Sequence, residues 1–213
     1  HTRTQNCSVA PCGRNQMITT SNSSRLIAST ETDIEISLSL DGKGKADIEI
    51  PLAFLRHMLE LFTAFSLFDL KIRAKGDLEV DEHHLTEDLG IVLGEAINKA
   101  LGEKRGINRF SFALLPMDET LVRIALDISG RPCLLFNVPL IKEKRGSFST
   151  RMTREFLKGF VNKAGLTLHI DLLYGDDLHH IQEAIFKSLG VAIGNAVSLN
   201  PKRKGIPSTK GRI

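Results

Sequence analysis

Two copies of a His-His-x-x-Glu motif are the residues in this sequence best suited to chemistry. One copy comprises His83, His84 and Glu87, and the other comprises His179, His180 and Glu183. In an α-helix, residues four positions apart share a face, so the first His and the Glu of each motif point together. The second His lies about 100° around the helix. Each motif therefore offers ligands in two directions, which predicts two metal ions bound by both motifs or by neighbouring subunits.

The kind of metal follows from the ligand types. Imidazole and carboxylate suit a first-row divalent ion such as Mn, Fe or Zn, and the absence of Cys from the motifs argues against a soft thiolate site. Asp81, Glu82 and Asp88 could orient the imidazoles. The order of the residues is not His-Glu-x-x-His, so the zinc-protease interpretation does not apply. A solvated helix N-terminus would explain one copy of the motif, but it explains two equivalent copies poorly.

Further candidates carry two interpretations each. His57 and His169 are either additional ligands or ordinary core and surface residues. Arg109 follows a turn, Arg131 follows a Ser-Gly that ends a strand, and Lys210 belongs to a basic tail. These cations form either a solvated charged surface or a phosphate clamp, in which arginine contributes a fork of donors and lysine a point charge.

Hydrophobic periodicity predicts the elements that position these residues. The first half reads as strands over 34–40 and 46–50, a helix over 52–65, a strand, turn and strand over 68–80, and a long helix over 81–102. The second half reads as strands over 121–130 and 131–140, a helix over 150–164, a strand over 166–175 and a long helix over 176–197.

The two halves repeat one another. His83 and His179 are 96 residues apart, and the helices that carry them match at several further positions. Glu31 and Glu119 each begin an alternating strand that ends at a glycine eleven residues later. This predicts an α+β fold made by internal duplication of a unit of strands and two helices, with two sheets and the helices packed between them. The repeats run over about 25–113 and 114–200, followed by a basic C-terminal tail. Residues 1–24 are predicted to be a disordered leader or an upstream remnant.

Composition excludes several classes of protein. The chain has 213 residues, 42% hydrophobic and 25% charged, which excludes a disordered, collagen-like or disulfide-scaffold protein. No apolar run reaches the roughly 18 residues of a membrane span, so no membrane partner is expected. The net charge of +3 is too balanced to indicate nucleic-acid binding. Three cysteines without metal-like spacing favour a reducing, cytoplasmic location, or a plastid if the leader is the remnant of a transit peptide.

Several stretches together resemble the imidazoleglycerol-phosphate dehydratase family of histidine biosynthesis. The similarity runs from about Arg25 to Gly211 and is strongest in DEHHLTEDLGI, KGDLEV, GINRF, PMDETL, DISGRP, TLHI, GDDLHHIQEAIFK and IPSTKG. The resemblance implies a shell of 24 identical subunits with active sites between subunits and two Mn ions per site. It also implies a lyase reaction that removes water from imidazole-glycerol phosphate to give imidazole-acetol phosphate. In the family, the metals bind the substrate's imidazole ring and favour its imidazolate form.

The resemblance also implies roles for individual residues. The metal ligands would be His57, His83, His84, Glu87, His169, His179, His180 and Glu183. The catalytic carboxylates would be Glu31, Glu87 and Glu183. Substrate and phosphate would be bound by Glu31, Arg109, Arg131, Ser208 and Lys210.

One stretch departs from the family pattern. The family usually has an acidic residue before the His of its His-Met-Leu motif and a second His eight residues after the first, where this chain has Arg56 and Phe65. One alternative is therefore a fold-retaining homologue with weak or no activity, a metal-binding assembly subunit. A more remote alternative is an unrelated di-metal hydrolase. The dehydratase interpretation is favoured because the other expected site positions are in place.

Overall fold

The chain folds into two four-stranded sheets and four helices. A computed structural model describes residues 22–26, 32–76, 82–140 and 148–213. The strands are β1 (Asn22–Leu26), β2 (Thr32–Ser39), β3 (Ala46–Glu49), β4 (Asp69–Gly76), β5 (Phe110–Met117), β6 (Thr120–Asp127), β7 (Cys133–Asn137) and β8 (Thr167–Tyr174). The helices are α1 (Ala53–Ser66), α2 (His83–Leu101), α3 (Thr150–Ala164) and α4 (Leu178–Val197). None of the described helices is long and apolar enough to cross a bilayer.

The sheets confirm the predicted duplication. Their strand orders are β1-β2-β4-β3 and β5-β6-β8-β7, so each strand has an equivalent at the same place in the other sheet. In both sheets the first three strands pair antiparallel and the last pair is parallel. The alternation in β2 buries Ile34, Ile36 and Leu38 against the helices. The predicted α+β class, with helices packed between two sheets, is therefore confirmed.

Some of the predicted boundaries agree with the structure, and others do not. The helix over 150–164 has the predicted ends, because Ser149 caps its first turn by accepting a hydrogen bond from the Met152 amide and Gly165 ends it in a left-handed conformation. The strand β5 was not predicted, because its apolar residues do not alternate with polar ones. The repeat boundary at 113/114 falls inside β5, and the leader boundary at residue 24 falls inside β1. The second strand predicted within 68–80 lies outside the described residues.

Helices of one repeat pair with helices of the other. The helix α1 packs on α4, and α2 packs on α3. Both pairs run parallel and approach closely at glycines of the long helices. A β-carbon at Gly90 would lie 2.1 Å from the Phe156 carbonyl oxygen, and one at Gly194 would lie 2.6 Å from the Ser66 carbonyl oxygen. These glycines therefore allow backbone-to-backbone contact between the repeats.

The outer faces of the two sheets differ in chemistry. On the first sheet, Glu35 stands opposite Arg73, whose guanidinium contacts Asp47 at 2.7 Å and Glu49 at 3.1 Å. On the second sheet, Phe112 and Leu135 are 75% and 51% exposed, and Ala125 lies between them on the same face. The second outer face therefore exposes large apolar side chains beside the ion pair of Arg123 and Asp171, and it is more apolar than the first.

The close helix contact gives a first prediction. Gly90→Ala should lower the free energy of unfolding by about 1–3 kcal/mol or more, because the new methyl group would overlap the Phe156 carbonyl and force α2 and α3 apart. An exposed Gly→Ala change inside a helix would instead stabilise by roughly 1 kcal/mol. Urea denaturation followed by circular dichroism measures the change. Gly205→Ala is the control, since no atom lies within 4 Å of a β-carbon there. Equal stability of the two variants would contradict the prediction.

Candidate metal and phosphate sites

The second motif sits in the first turn of α4, and Asp177 determines where that helix begins. The Asp177 carboxylate accepts hydrogen bonds from the backbone amides of His179 and His180, at 2.8 and 3.1 Å. This N-cap satisfies amides that have no partner within the helix. The capped first turn fixes the backbone of both histidines. The first motif begins α2, where His83 Nε2 lies 3.6 Å from Glu87 Oε2.

His57, His179 and Glu183 form a compact group, which we call the helix-terminal cluster. Glu183 Oε1 lies 3.1 Å from His57 Nε2 and 2.9 Å from His179 Nε2. One nitrogen or oxygen from each of the three residues falls within 4.8 Å of the others, as in a metal-binding group. Phe54 packs edge-on against the His179 ring, 5.3 Å between centroids, and limits its rotation. The cluster spans both repeats, because His57 comes from α1 and the other two residues from α4.

The Glu183 carboxylate is almost buried and ionised. Burial alone would raise the pKa of this group, but the hydrogen bonds from Lys187, His57 and His179 outweigh burial and lower the pKa to about 2. Lys187 Nζ lies 2.6 Å from Glu183 Oε2. Sequence reasoning missed Lys187, although its spacing of four residues from Glu183 places both on one helix face. Glu183 is thus anionic at neutral pH.

His180 points in a different direction from His179. Its ring is turned 85° from the His179 ring, and its Nδ1 lies 2.8 Å from Glu119 Oε2 at the start of β6. The hydrogen bond from His180 contributes most to lowering the pKa of Glu119 to about 2, and the same contact raises the pKa of His180. His179 and His180 therefore contact different carboxylates, Glu183 and Glu119. In the first motif the His83 and His84 rings are likewise turned, by 75°.

Arg109, Arg131, Ser208 and Lys210 lie on adjoining loops and the C-terminal tail, and we call them the basic loop group. The Arg109 guanidinium forms two hydrogen bonds to Asp127, at 2.7 and 3.1 Å, and a third to the carbonyl of Pro207 at 2.8 Å. Pro207 directly precedes Ser208, so Arg109 anchors the tail.

The tail continues past the loop that carries Arg131. A β-carbon at Gly130 would lie 3.0 Å from the carbonyl carbon of Ile213. The Lys210 amide donates to Ser208 Oγ at 3.2 Å, which forms a turn. The tail therefore passes both Arg109 and the loop that carries Arg131.

The helix-terminal cluster and the basic loop group lie at opposite ends of the second sheet. The strand β6 begins at Thr120, beside the Glu119 that contacts His180, and ends at Asp127, which binds Arg109. Eight residues in a strand separate these ends by roughly 23 Å. The two groups of one chain are therefore too far apart to touch one small molecule.

His169 lies apart from the helix-terminal cluster. It sits near the middle of β8 on the apolar outer face, opposite Ala125 on one side and Leu135 on the other. Its side chain is exposed. The structure of one chain therefore does not bring His169 to the other predicted ligands.

Three further positions singled out in the sequence are Glu31, Arg56 and Phe65. Glu31 lies outside the described residues, but the adjacent Thr32 donates to Asp88 of α2 at 2.7 Å. Arg56 is 3.9 Å from Glu60 and lines a groove with Glu49. Phe65 lines a separate cavity of about 880 Å³ at the C-terminal ends of α1, α2 and α4. Eight residues of helix separate Phe65 from His57, which is about 12 Å along the axis.

Comparison with known proteins agrees with these features. Residues 51–193 match the family model of imidazoleglycerol-phosphate dehydratase. Proteins of that name from Methylorubrum populi and Caldanaerobacter subterraneus are both 54% identical, over 86% and 85% of this chain and 94% and 93% of their own lengths.

Two solved structures share the fold. The crystal structure of imidazoleglycerol-phosphate dehydratase from Staphylococcus aureus is 42% identical with a TM-score of 0.74, and covers 84% of this chain and 98% of its own. That from Pyrococcus furiosus, in complex with (S)-C348, is 35% identical with a TM-score of 0.77, and covers 89% of this chain and all of its own. The chain therefore belongs to the imidazoleglycerol-phosphate dehydratase family, the family of enzymes that its motifs indicated.

Proposed function

We propose that this chain removes water from imidazole-glycerol phosphate to give imidazole-acetol phosphate in histidine biosynthesis. The observation that carries the proposal is the helix-terminal cluster in a member of this family, because its three ligand atoms already lie within 4.8 Å of one another. The family supports the reaction class, and the cluster supports the presence of the groups that the reaction needs. Nothing in the described residues favours the hydrolase alternative over this reaction.

The cofactor we propose is manganese, with two ions in each complete site. Two imidazoles and one nearly buried, ionised carboxylate fit a first-row divalent metal. Such a carboxylate needs cationic or hydrogen-bonding partners, and three donors already converge on Glu183. The proposed ligands are His57, His83, His84, Glu87, His169, His179, His180 and Glu183. When bound, the metal would supply a Lewis acid that stabilises the imidazolate form of the substrate ring.

The chain's own residues would orient the substrate and move protons. We propose Glu31, Glu87 and Glu183 as the carboxylates that accept the proton lost from carbon and return a proton to the departing hydroxyl. Thr32, the residue that follows Glu31 in the chain, donates a hydrogen bond to Asp88 of α2.

Phosphate would be held by the basic loop group. Arg131 and Lys210 supply positive charge, and Ser208 supplies a hydroxyl donor. Arg109 is engaged with Asp127 and the tail, so its main contribution would be to hold Ser208 and Lys210 in place. The clamp is thus built by a strand end, a loop and the tail together.

A complete site would need residues from more than one subunit. The substrate spans about 10 Å by its bond lengths, less than half the separation of the two ends of β6. We therefore propose that one copy supplies the helix-terminal cluster and a second copy supplies His169 and the basic loop group. The apolar outer face around Phe112, Ala125 and Leu135 supports this, because association would bury it. We adopt the closed shell of 24 subunits as the proposed assembly, and the cytoplasm as its proposed location.

A turnover assay tests the function. The full chain, supplied with Mn²⁺ and imidazole-glycerol phosphate, should form imidazole-acetol phosphate. His179→Ala should lose both most of its bound Mn²⁺ and most of its turnover, because it removes a ligand that contacts Glu183. Glu60→Gln is the control, since Glu60 lies on α1 near His57 but outside the cluster. Folded, Mn-loaded wild-type protein without turnover would favour the inactive-homologue alternative.

Assembly through the second outer face gives another prediction. Ala125→Asp should prevent formation of the full oligomer, because it places a further negative charge directly beside the exposed Phe112. Ser37→Asp is the matched control, since Ser37 occupies the equivalent place in β2 of the charged first sheet. Light scattering after size-exclusion chromatography measures the mass of each variant. An unchanged oligomer in Ala125→Asp would contradict the proposed interface.

Mixing two damaged proteins tests whether sites are shared. His179→Ala and Lys210→Ala are each expected to be nearly inactive. If sites combine two subunits, mixed assemblies contain some sites with both parts intact and regain activity. Mixtures that stay as inactive as their components would mean that each chain forms its site alone.

A substitution at Phe65 distinguishes an active enzyme that tolerates the departure from the family pattern from a homologue that the departure has weakened. Phe65→His should leave Mn²⁺ content and turnover within about twofold of wild type, because position 65 lies some 12 Å along α1 from His57. Turnover and metal analysis of the variant measure this. A large gain in activity would instead show that the missing histidine limits the wild-type protein.

A further inference from the structure

We propose that Glu119 is a positioning residue that fixes His180 with its Nε2 free to bind a metal ion. The inference rests on the proposed function, since it assigns His180 as a ligand. In the sequence, Glu119 is the repeat counterpart of Glu31, and its pattern alone predicts no role for it. The contacts around its carboxylate carry the inference.

Both oxygens of Glu119 are held. Oε2 lies 2.8 Å from His180 Nδ1. Oε1 accepts a hydrogen bond from Thr120 Oγ1 at 2.8 Å and one from the Asp177 amide at 3.4 Å. Thr120 is fully buried, and Asp177 is the residue that caps α4. The carboxylate is therefore anchored both to the strand β6 and to the turn that begins the helix.

This anchoring has a consequence for the imidazole. An ionised carboxylate can only accept hydrogen bonds, so the nitrogen facing it must carry the proton. Nδ1 of His180 is then the donor, and Nε2 keeps the lone pair that a metal needs. Carboxylates that accept from the second nitrogen of a metal-binding imidazole commonly fix its tautomer and orientation in this way.

The neighbouring acidic groups do not offer the same arrangement. Asp118 Oδ2 is 3.8 Å from His180 Nε2, beyond hydrogen-bond distance, and its side chain is 73% exposed. The Asp177 carboxylate accepts from the backbone amides of His179 and His180. Among the described side chains in contact with His180, Glu119 is thus the one placed to set the proton position.

The two repeats differ at the helix position that corresponds to Asp88. Thr32, the counterpart of Thr120, donates to Asp88, whereas the residue equivalent to Asp88 in α4 is Ala184. The second repeat therefore lacks that helix carboxylate, and Thr120 donates to Glu119 instead.

The test compares Mn²⁺ affinity in Glu119→Ala, Glu119→Gln and Asp176→Asn. Glu119→Ala should weaken Mn²⁺ binding by about tenfold or more, as for other groups that support metal ligands. Glu119→Gln should recover much of the loss, because the amide oxygen can still accept from Nδ1. Asp176→Asn removes one nearby negative charge and should stay within about twofold. Metal analysis after equilibrium dialysis at defined free Mn²⁺ gives the affinities. Equal affinity in Glu119→Ala and wild type would overturn the proposal.

A second measurement does not need the metal. In crystals of metal-free protein, the His180 ring should keep its orientation in the wild type and in Glu119→Gln and should turn or become disordered in Glu119→Ala. An unmoved ring in Glu119→Ala would overturn the positioning role. If wild-type protein binds no Mn²⁺, the proposed metal fails, and the ring orientation still decides whether Glu119 positions His180.

Discussion

The parallel contact between α1 and α4 is the constraint on which the candidate site depends. These helices belong to different repeats and lie against different sheets. Gly190 and Gly194 let the α1 backbone approach α4 closely, since a β-carbon at either position would lie within 2.7 Å of an α1 carbonyl oxygen. That approach brings His57 to 3.1 Å from Glu183. Small residues a few turns away thus allow the helix-terminal cluster to form, and neither repeat alone contains it.

Duplication gave the two halves one architecture, and later divergence gave them different tasks. Strand order and helix placement are the same in both halves. The outer faces are not, since Ser37 and its counterpart Ala125 lie in a charged face and an apolar face respectively. A fold needs only its inner faces to be apolar, so the outer faces and the helix termini remain free to change. The features that distinguish the halves lie in those places.

Sequence reasoning captured what depends on local pattern. The helix predicted over 150–164 coincides with α3, which Ser149 caps and Gly165 ends. Features that depend on tertiary contact were missed. The strand β5 has no alternation, because residues such as Phe110 and Phe112 on its outer side are also apolar. The pairing of α1 with α4, and so the placement of His57, could not be derived. A glycine in a helix indicates that another backbone can approach closely, but it does not indicate which helix that is.

The geometry of β6 links quaternary structure to chemistry. A strand of eight residues holds Glu119 and Asp127 at its two ends, and no side-chain movement closes a gap of roughly 23 Å. Within one chain, His180 and Arg109 therefore remain separate. The proposed association through the second outer face would remove the separation by bringing in a second copy, and His169 lies within that face. Burial of apolar surface would then stabilise the same contact between subunits that completes the site. Activity would therefore depend on the free energy of assembly.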